Sequence, residues 1–273
     1  EMNLHELTQL GQETEYPDHY DANLLQPIPR ELTRASLGID SELLPFHGVD
    51  VWTHYEVSWL EPSGKPVAAI GEISVPAYSA NLIESKSLKL YFNSLNFSVF
   101  DSAEAFTRQV EQDLSSVAEA AVTLKLEPAH EAQQLEAFPG RCLDLLPLTT
   151  TSYLPDPGLL RINEHELVDE VWHSHLLRTN CPVTDQPDWG SVLIHYQGPR
   201  IEPESLLAYL VSFRRHADFH EQCVERIFMD LQHVAQAHAL SVYARYTRRG
   251  GLDINPFRSN FEQLTTRWRT ARQ

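Results

Sequence analysis

A thirteen-residue stretch of this chain occurs twice. Residues 83–95 read Ile-Glu-Ser-Lys-Ser-Leu-Lys-Leu-Tyr-Phe-Asn-Ser-Leu and residues 201–213 read Ile-Glu-Pro-Glu-Ser-Leu-Leu-Ala-Tyr-Leu-Val-Ser-Phe; at an offset of 118 they agree at six of thirteen positions. Ordinary composition gives roughly one agreement by chance. With one residue of slippage Asp113-Leu114 meets Asp230-Leu231, and Val117-Ala118 meets Val234-Ala235. The register therefore persists over a long segment, and the chain reads as two diverged copies of one module.

Hydrophobic patterning says what the module is. Residues 49–60 are rich in strand formers, residues 66–75 alternate after a Pro-Ser-Gly turn, and together they predict a hairpin. Residues 104–117 place Phe106, Val110, Leu114 and Val117 on one helical stripe, and residues 121–126 read as a short strand. The same order returns as a strand over 191–196, a helical region over 203–237 and an alternating strand over 240–246. This is an α+β module. We place the first copy at 46–127 and the second at 166–273, with a Pro- and Gly-containing linker at 128–165. Residues 1–45, interrupted by Pro17, Pro27 and Pro29, are expected to form an extended arm, and His173 and His175 to lie on a helix.

Composition excludes some functions. A formal charge of -17 is wrong for gripping a phosphate backbone, so no direct nucleic-acid contact is expected. Against that acidic background Arg245, Arg248 and Arg249 could focus a small anion. No apolar run reaches the length of a membrane span, and the first residues lack the features of a signal peptide. Three scattered cysteines suit a reducing compartment better than a disulfide framework, which points to the cytoplasm. Neither a G-x-G-x-x-G nor a G-x-x-x-x-G-K-[ST] motif occurs, and no metal-binding spacing is present, so no metal is expected.

The chemistry-bearing stretch is 180–190, Asn-Cys-Pro-Val-Thr-Asp-Gln-Pro-Asp-Trp-Gly, expected to be a loop. Cys181 is a nucleophile if its thiolate can form, and otherwise a buried thiol. Asp188 is a proton source within the same stretch, and otherwise a turn residue. His220 and Glu221 adjoin on a helix, so their side chains diverge by about 100° and do not form a dyad. A carboxylate such as Glu84 or Glu221 suits the paired N–H donors of a guanine-like edge, and either also suits a solvated helix face. Arg248-Arg249-Gly250-Gly251 offers guanidinium forks and bare backbone N–H groups to phosphate, and equally serves as a strand-ending turn; Ser85 and Lys86 add a hydroxyl and an ammonium. Lys86 and Lys89 have no counterpart in the second copy, and Cys181 and the His-Glu pair have none in the first. This complementary loss suggests one shared site.

Glu84-Ser85-Lys86-Ser87-Leu88-Lys89-Leu90-Tyr91, Asn180-Cys181 through Trp189-Gly190, Phe219-His220-Glu221, and Tyr246 through Asp253 together resemble the motifs of the NADPH-dependent 7-cyano-7-deazaguanine reductases, nitrile reductases of queuosine biosynthesis, in their two-module form. The resemblance implies two tandem tunnelling-fold modules, each an antiparallel sheet with two helices, that assemble as a homodimer. It implies that Cys181 forms a thioimide with the nitrile carbon and that Asp188 donates the proton. It implies that Ile83, Glu84, Ser85, His220 and Glu221 bind the deazapurine, and that Ser85, Lys86, Arg249 and Gly250 bind NADPH. A tunnelling-fold hydrolase or cyclohydrolase on a purine-like ring, or a non-catalytic purine-binding module, is the competing expectation.

Overall fold

The computed structural model describes residues 15–131, 136–149, 152–266 and 268–273. The chain divides into two compact units, Glu1–Leu44 with Val49–Gln134 and Arg248–Ile254, and Pro45–Gly48 with Leu135–Thr247 and Asn255–Gln273.

The first unit opens with a 3-10 turn at Ala22–Leu24, strand β1 (Pro27–Pro29) and helix α1 (Arg30–Ala35). The arm is thus not merely extended: Pro29 stands at the N-cap of α1, where the missing N–H is harmless, so proline starts this helix instead of breaking it. Buried arginines tie it down. Arg30 pairs with Asp50 at 2.7 Å and donates to Ser79 Oγ at 2.9 Å, and Arg34 donates to the Ala77 carbonyl at 2.7 Å. Strands β2 (His47–Leu60) and β3 (Pro66–Pro76) form the expected antiparallel hairpin. Strand β4 (Asn81–Ile83) pairs with β1, and helices α2 (Ser85–Ser94) and α3 (Ala103–Ala118) lead to β5 (Thr123–Pro128), which pairs antiparallel with β3. Phe106, Val110 and Leu114 of α3 are fully buried, with Phe106 stacked on Trp59 at 4.4 Å. Each such side chain contributes about 1.5–3 kcal/mol. Val117 is only partly buried, and Ala118 completes the stripe.

In the second unit β6 (Arg141–Cys142) pairs parallel with β7 (Ile162–Asn180), which pairs antiparallel with β8 (Pro187–Ile201). Helices α4 (Pro203–Val211) and α5 (His220–Ala235) follow, and then β9 (Ala239–Tyr246), antiparallel to β8 and to the part of β10 (Leu252–Ser259) that belongs to this unit, from Asn255 on. His173 and His175 lie on strand β7, not on a helix, and their rings are 5.4 Å apart as the two-residue period requires. The strand was hidden because residues 162–171 hold no buried side chain, so no alternation of burial is imposed on them. All eight residues of β9 are buried. The face that alternation would leave wet carries Tyr243, surrounded by Phe138 and Trp268, and Arg245, bonded to Gln273 Oε1 and the Tyr243 hydroxyl. Arg245 is 5% exposed, so it does not join a surface cluster with Arg248 and Arg249.

The duplication extends to individual bonds. Tyr91 donates to Asp113 at 2.7 Å and Tyr209 to Asp230 at 2.6 Å; Ser87 Oγ donates to the Glu84 carbonyl and Ser205 Oγ to the Glu202 carbonyl, each at 2.7 Å. α3 and α5 both end on a left-handed residue, Glu119 and Gln236. It also reaches into the arm and the expected linker. Asp21 caps Ala22–Leu24 as Asp156 caps a 3-10 turn at Pro157–Leu159, and Gln26 N–H reaches Ser87 Oγ as Arg161 N–H reaches Ser205 Oγ.

Candidate active site

In the second unit the turn between β7 and β8 covers only 181–186, so Asp188 stands on strand β8 and not in a loop. The turn is closed by Cys181 N–H on the Gln186 carbonyl at 2.9 Å and by Asp185 N–H on the Cys181 carbonyl at 3.0 Å, with Asp185 at φ 56. Thr179 is the cross-strand partner of Asp188, which puts their side chains on one face. Cys181 and Asp188 are each 4% exposed.

Asn180 fixes the approach to α5: its N–H donates to the His216 carbonyl at 2.7 Å and its carbonyl accepts from Asp218 N–H at 3.1 Å. His220 and Glu221 are then the first two residues of α5, both buried. His220 Nε2 lies 3.1 Å from Asp188 Oδ2, and the ring stacks on Tyr246 with centroids 3.8 Å apart and planes 9° from parallel. Cys181, Asp188, His220 and Glu221 thus belong to one unit. Thr179 Oγ1, Asn180 Oδ1 and His220 Nδ1 are buried without a hydrogen-bond partner among the described residues. Buried polar atoms are rarely left so, and this group marks a place built to bond something else. Burial pushes the Cys223 thiol up to about 12, which keeps it protonated. Sequence reasoning did not find Thr179, Tyr246 or the His220–Asp188 pair, because only the fold brings those segments together.

In the first unit Ile83 ends β4 and Glu84 caps α2, its carboxylate accepting from Lys86 N–H at 2.9 Å and Ser87 N–H at 2.7 Å. Burial raises the Glu84 carboxyl, opposed by those two N–H groups and by the charges of Lys89 and Lys86. A carboxylate has about four acceptor positions, so the cap leaves capacity for a further donor. Residues 248–252 form the strand-ending turn, closed by reciprocal Arg249 and Leu252 backbone bonds, with Gly250 at φ 59 and Gly251 at φ 83. The Arg248 guanidinium lies 3.8 Å from the Tyr55 ring centroid.

Lys86, Lys89 and Gly250 line a cleft of about 220 Å³ with His54, Glu56 and Phe92. Burial lowers the His54 imidazole to about 4, which keeps it neutral near pH 7. A larger hollow of about 490 Å³, bordered by Trp59, Phe100 and Pro128, contains none of the residues singled out in the sequence. Among the described residues no group of three or more His, Cys, Asp or Glu side chains is arranged to hold a metal, and no helix is long and apolar enough to cross a membrane.

Two tandem modules of antiparallel sheet with paired helices place the chain in the tunnelling-fold class. Residues 16–126 match the family model described as "Nitrile reductase, 7-cyano-7-deazaguanine-reductase N-term", and residues 187–264 match that described as "QueF-like protein". The chain belongs to the QueF-type 7-cyano-7-deazaguanine reductase family, in its two-module form. Among solved structures it is similar to a protein described as "the archaeosine synthase QueF-Like in the apo form", at 14% identity and a TM-score of 0.31, over 35% of this chain and 94% of the other. Family membership supports a queuosine-pathway nitrile reductase acting on a small molecule, and implies a nicotinamide cofactor.

Proposed function

We propose that this enzyme reduces the nitrile of 7-cyano-7-deazaguanine to the primary amine of 7-aminomethyl-7-deazaguanine, with NADPH as reductant and a thioimide on Cys181 as intermediate. The observation that carries the reading is the buried Asp188–His220 pair on the unit that holds Cys181. Asp188 takes the thiol proton as sulfur adds to the nitrile carbon, and returns it to the nitrogen, whose new lone pair comes from the broken π bond. One C–S bond forms, one C–N π bond breaks, and no electron is lost. Asn180, Thr179 and His220 present unpartnered polar atoms for the ring and the nitrogen, and Glu221 accepts from the amidine edge. Glu84, with Ile83 and Ser85, contributes the first module's part of substrate recognition.

The first unit fits a phosphorylated nicotinamide cofactor. At Gly250 a Cβ would come within 3.0 Å of Lys89 Cδ, so the glycine leaves backbone open beside two ammonium groups in the cleft. Ser85, Lys86, Arg249 and Gly250 would hold the group, which supplies one hydride each time it is bound, so that two molecules would serve one nitrile. The site excludes water around the carbon–nitrogen bond by burial of Cys181 and Asp188, and so favours amine over aldehyde. Three unpaired cysteines suit the reducing cytoplasm, and the tunnelling-fold class supports a homodimer.

The test is NADPH consumption on adding the nitrile, with amine formed at about half the molar amount of NADPH lost. Intact-mass measurement with nitrile alone should show one adduct per chain, absent in Cys181→Ala. Acid or formate released without NADPH loss, or an adduct that survives Cys181→Ala, overturns the reading.

A further inference from the structure

Tyr246 is a fully buried residue with no part in the chemistry described so far. Beyond Tyr243, β9 has no register partner on β10, and side-chain amides replace the strand. Asn255 Oδ1 accepts from Tyr246 N–H at 3.0 Å, and Gln273 Nε2 donates to the Tyr246 carbonyl at 2.9 Å. Gln273 is itself held, donating to Asn255 Oδ1 at 3.0 Å and accepting from Arg245 Nε at 2.9 Å and Thr270 N–H at 3.0 Å. The backbone of Tyr246 is therefore fixed on the side that faces away from β8.

The ring is confined as well. Gly190 is its cross-strand partner on β8, and a Cβ there would stand 3.1 Å from Tyr246 Cε1 and 3.2 Å from Cδ1. A side chain in place of the glycine that closes the Cys181–Asp188 motif would press on the phenol and shift it. On the other side the ring meets the His220 imidazole nearly in parallel. A stacked ring forbids rotation of the imidazole about its χ2 axis without opening a gap, so Nε2 stays on Asp188 and Nδ1 stays on the unpartnered side. The Tyr246 hydroxyl is directed at the Cys223 thiol and not at His220. Packing of the ring face, and not the phenolic oxygen, does the holding.

The geometry points to Tyr246 as a positioning residue: clamped between Gly190 and His220, it fixes the His220 ring so that Nε2 addresses Asp188 and Nδ1 stays on the unpartnered side. This rests on the proposed reading of Asp188 as proton donor. Held 3.1 Å from Asp188 Oδ2, Nε2 keeps the carboxyl in place while its proton passes from sulfur to nitrogen, and a ring free to turn would lose that contact in a fraction of the molecules. The titratable and charged groups around it are Asp188 on β8, Asp218 before α5, and Cys223 and Arg226 on α5.

The experiment uses ¹⁵N-histidine-labelled full-length protein, with the His220 signals assigned by their loss in His220→Gln. In Tyr246→Leu the His220 ring-nitrogen shifts should change without substrate. With nitrile and NADPH, kcat should fall about 10–100-fold while KM for the nitrile changes less, as for a misplaced catalytic group. The pH profile of kcat should move by about half a unit or more. Tyr246→Phe, which keeps the ring face, should rescue both the shifts and the profile. If Tyr246→Leu does not fold, Gly190→Ala presses on the same ring from β8 and should move the same His220 signals. Unchanged signals in folded Tyr246→Leu or in Gly190→Ala, or failure of Tyr246→Phe to rescue, overturns the inference. Because the shifts are read without substrate, failure of the proposed reaction would appear separately, as no NADPH consumption by the parent protein.

Discussion

Replacing Gly250 with alanine places a methyl group where the backbone is left-handed, at φ 59. An L residue there costs roughly 1–2 kcal/mol. The new Cβ would also lie 3.0 Å from Cδ, 3.1 Å from Cε and 3.4 Å from Nζ of Lys89. These are the far atoms of a flexible side chain, so Lys89 swings aside before the backbone yields. Stability should therefore fall by about 1–2 kcal/mol, a drop of roughly 2–8 °C in Tm. The functional loss is separate. Moving one ammonium off a phosphate removes a charge-assisted bond of about 1.5–3 kcal/mol, so KM for NADPH should rise about 10–100-fold. Adduct formation on Cys181 needs no cofactor and should keep its parental rate. Steady-state kinetics at varied NADPH, with the mass-shift time course run in parallel, distinguishes the two. A parental KM alongside the expected stability loss, or an adduct rate that falls with the rise in KM, would refute the assignment of this turn to the cofactor.

Two further outcomes concern stability. Asp50→Ala leaves the Arg30 guanidinium buried without its carboxylate, and urea unfolding should show a loss of about 3–5 kcal/mol; a loss under about 1 kcal/mol would mean that Ser79 and the Pro76 carbonyl alone satisfy Arg30. His54 has its folded-state pKa depressed from 6.5 to about 4, so the unfolded chain binds more protons between those values; stability is full above about pH 6.5 and is lost as pH falls toward 4, by about 3 kcal/mol in all. The slope of unfolding free energy over pH 4–6.5 should flatten in His54→Phe, and an unchanged slope would remove His54 as its source.

What could be read from the sequence was what repeats at short range. The hairpin β2–β3 and helix α3 follow from alternation and from the stripe of Phe106, Val110 and Leu114, because one face of each is buried and the other is not. β7 escaped because it is wet along half its length, whereas β9 was legible as a strand over 240–246 but not as one buried on both faces. The repeat in the arm was visible in principle. Asp21-Ala22-Asn23-Leu24-Leu25 and Asp156-Pro157-Gly158-Leu159-Leu160 share the Asp cap and both leucines, but at an offset of 135 instead of 118, because between this turn and the next long helix the first copy carries additional chain that includes α1, more than offsetting the greater length of β7 and β8. For the site, the sequence supplied Cys181, Asp188 and the His-Glu pair as separate pieces. That His220 answers to Asp188, and that Tyr246 holds its ring, depends on α5 and β9 meeting the β7–β8 turn, and residue spacing carries no trace of it.

The differences between the copies fall where chemistry would require them. Both keep the Tyr–Asp bond that ties one helix to the other and the serine that closes the first helical turn, so the helix pair is held alike in each. The helix starts have diverged. α3 has Ser102 as its cap, with Oγ accepting from Ala105 N–H, whereas the matching position before α5 is Phe219, which offers no side-chain bond. Losing such a cap costs about 1 kcal/mol. The second copy sacrifices that stabilisation at the residue next to His220, where a serine would bond back to its own helix and an aromatic ring instead adds apolar cover. α2 shows the converse: Glu84 caps its helix and keeps acceptor capacity, while Glu202, before Pro203, makes no side-chain cap bond. A lost cap tolerated beside a buried, unpartnered polar atom is the mark of a site under selection for something other than stability, and at the start of α5 Phe219 and His220 Nδ1 bring the two together.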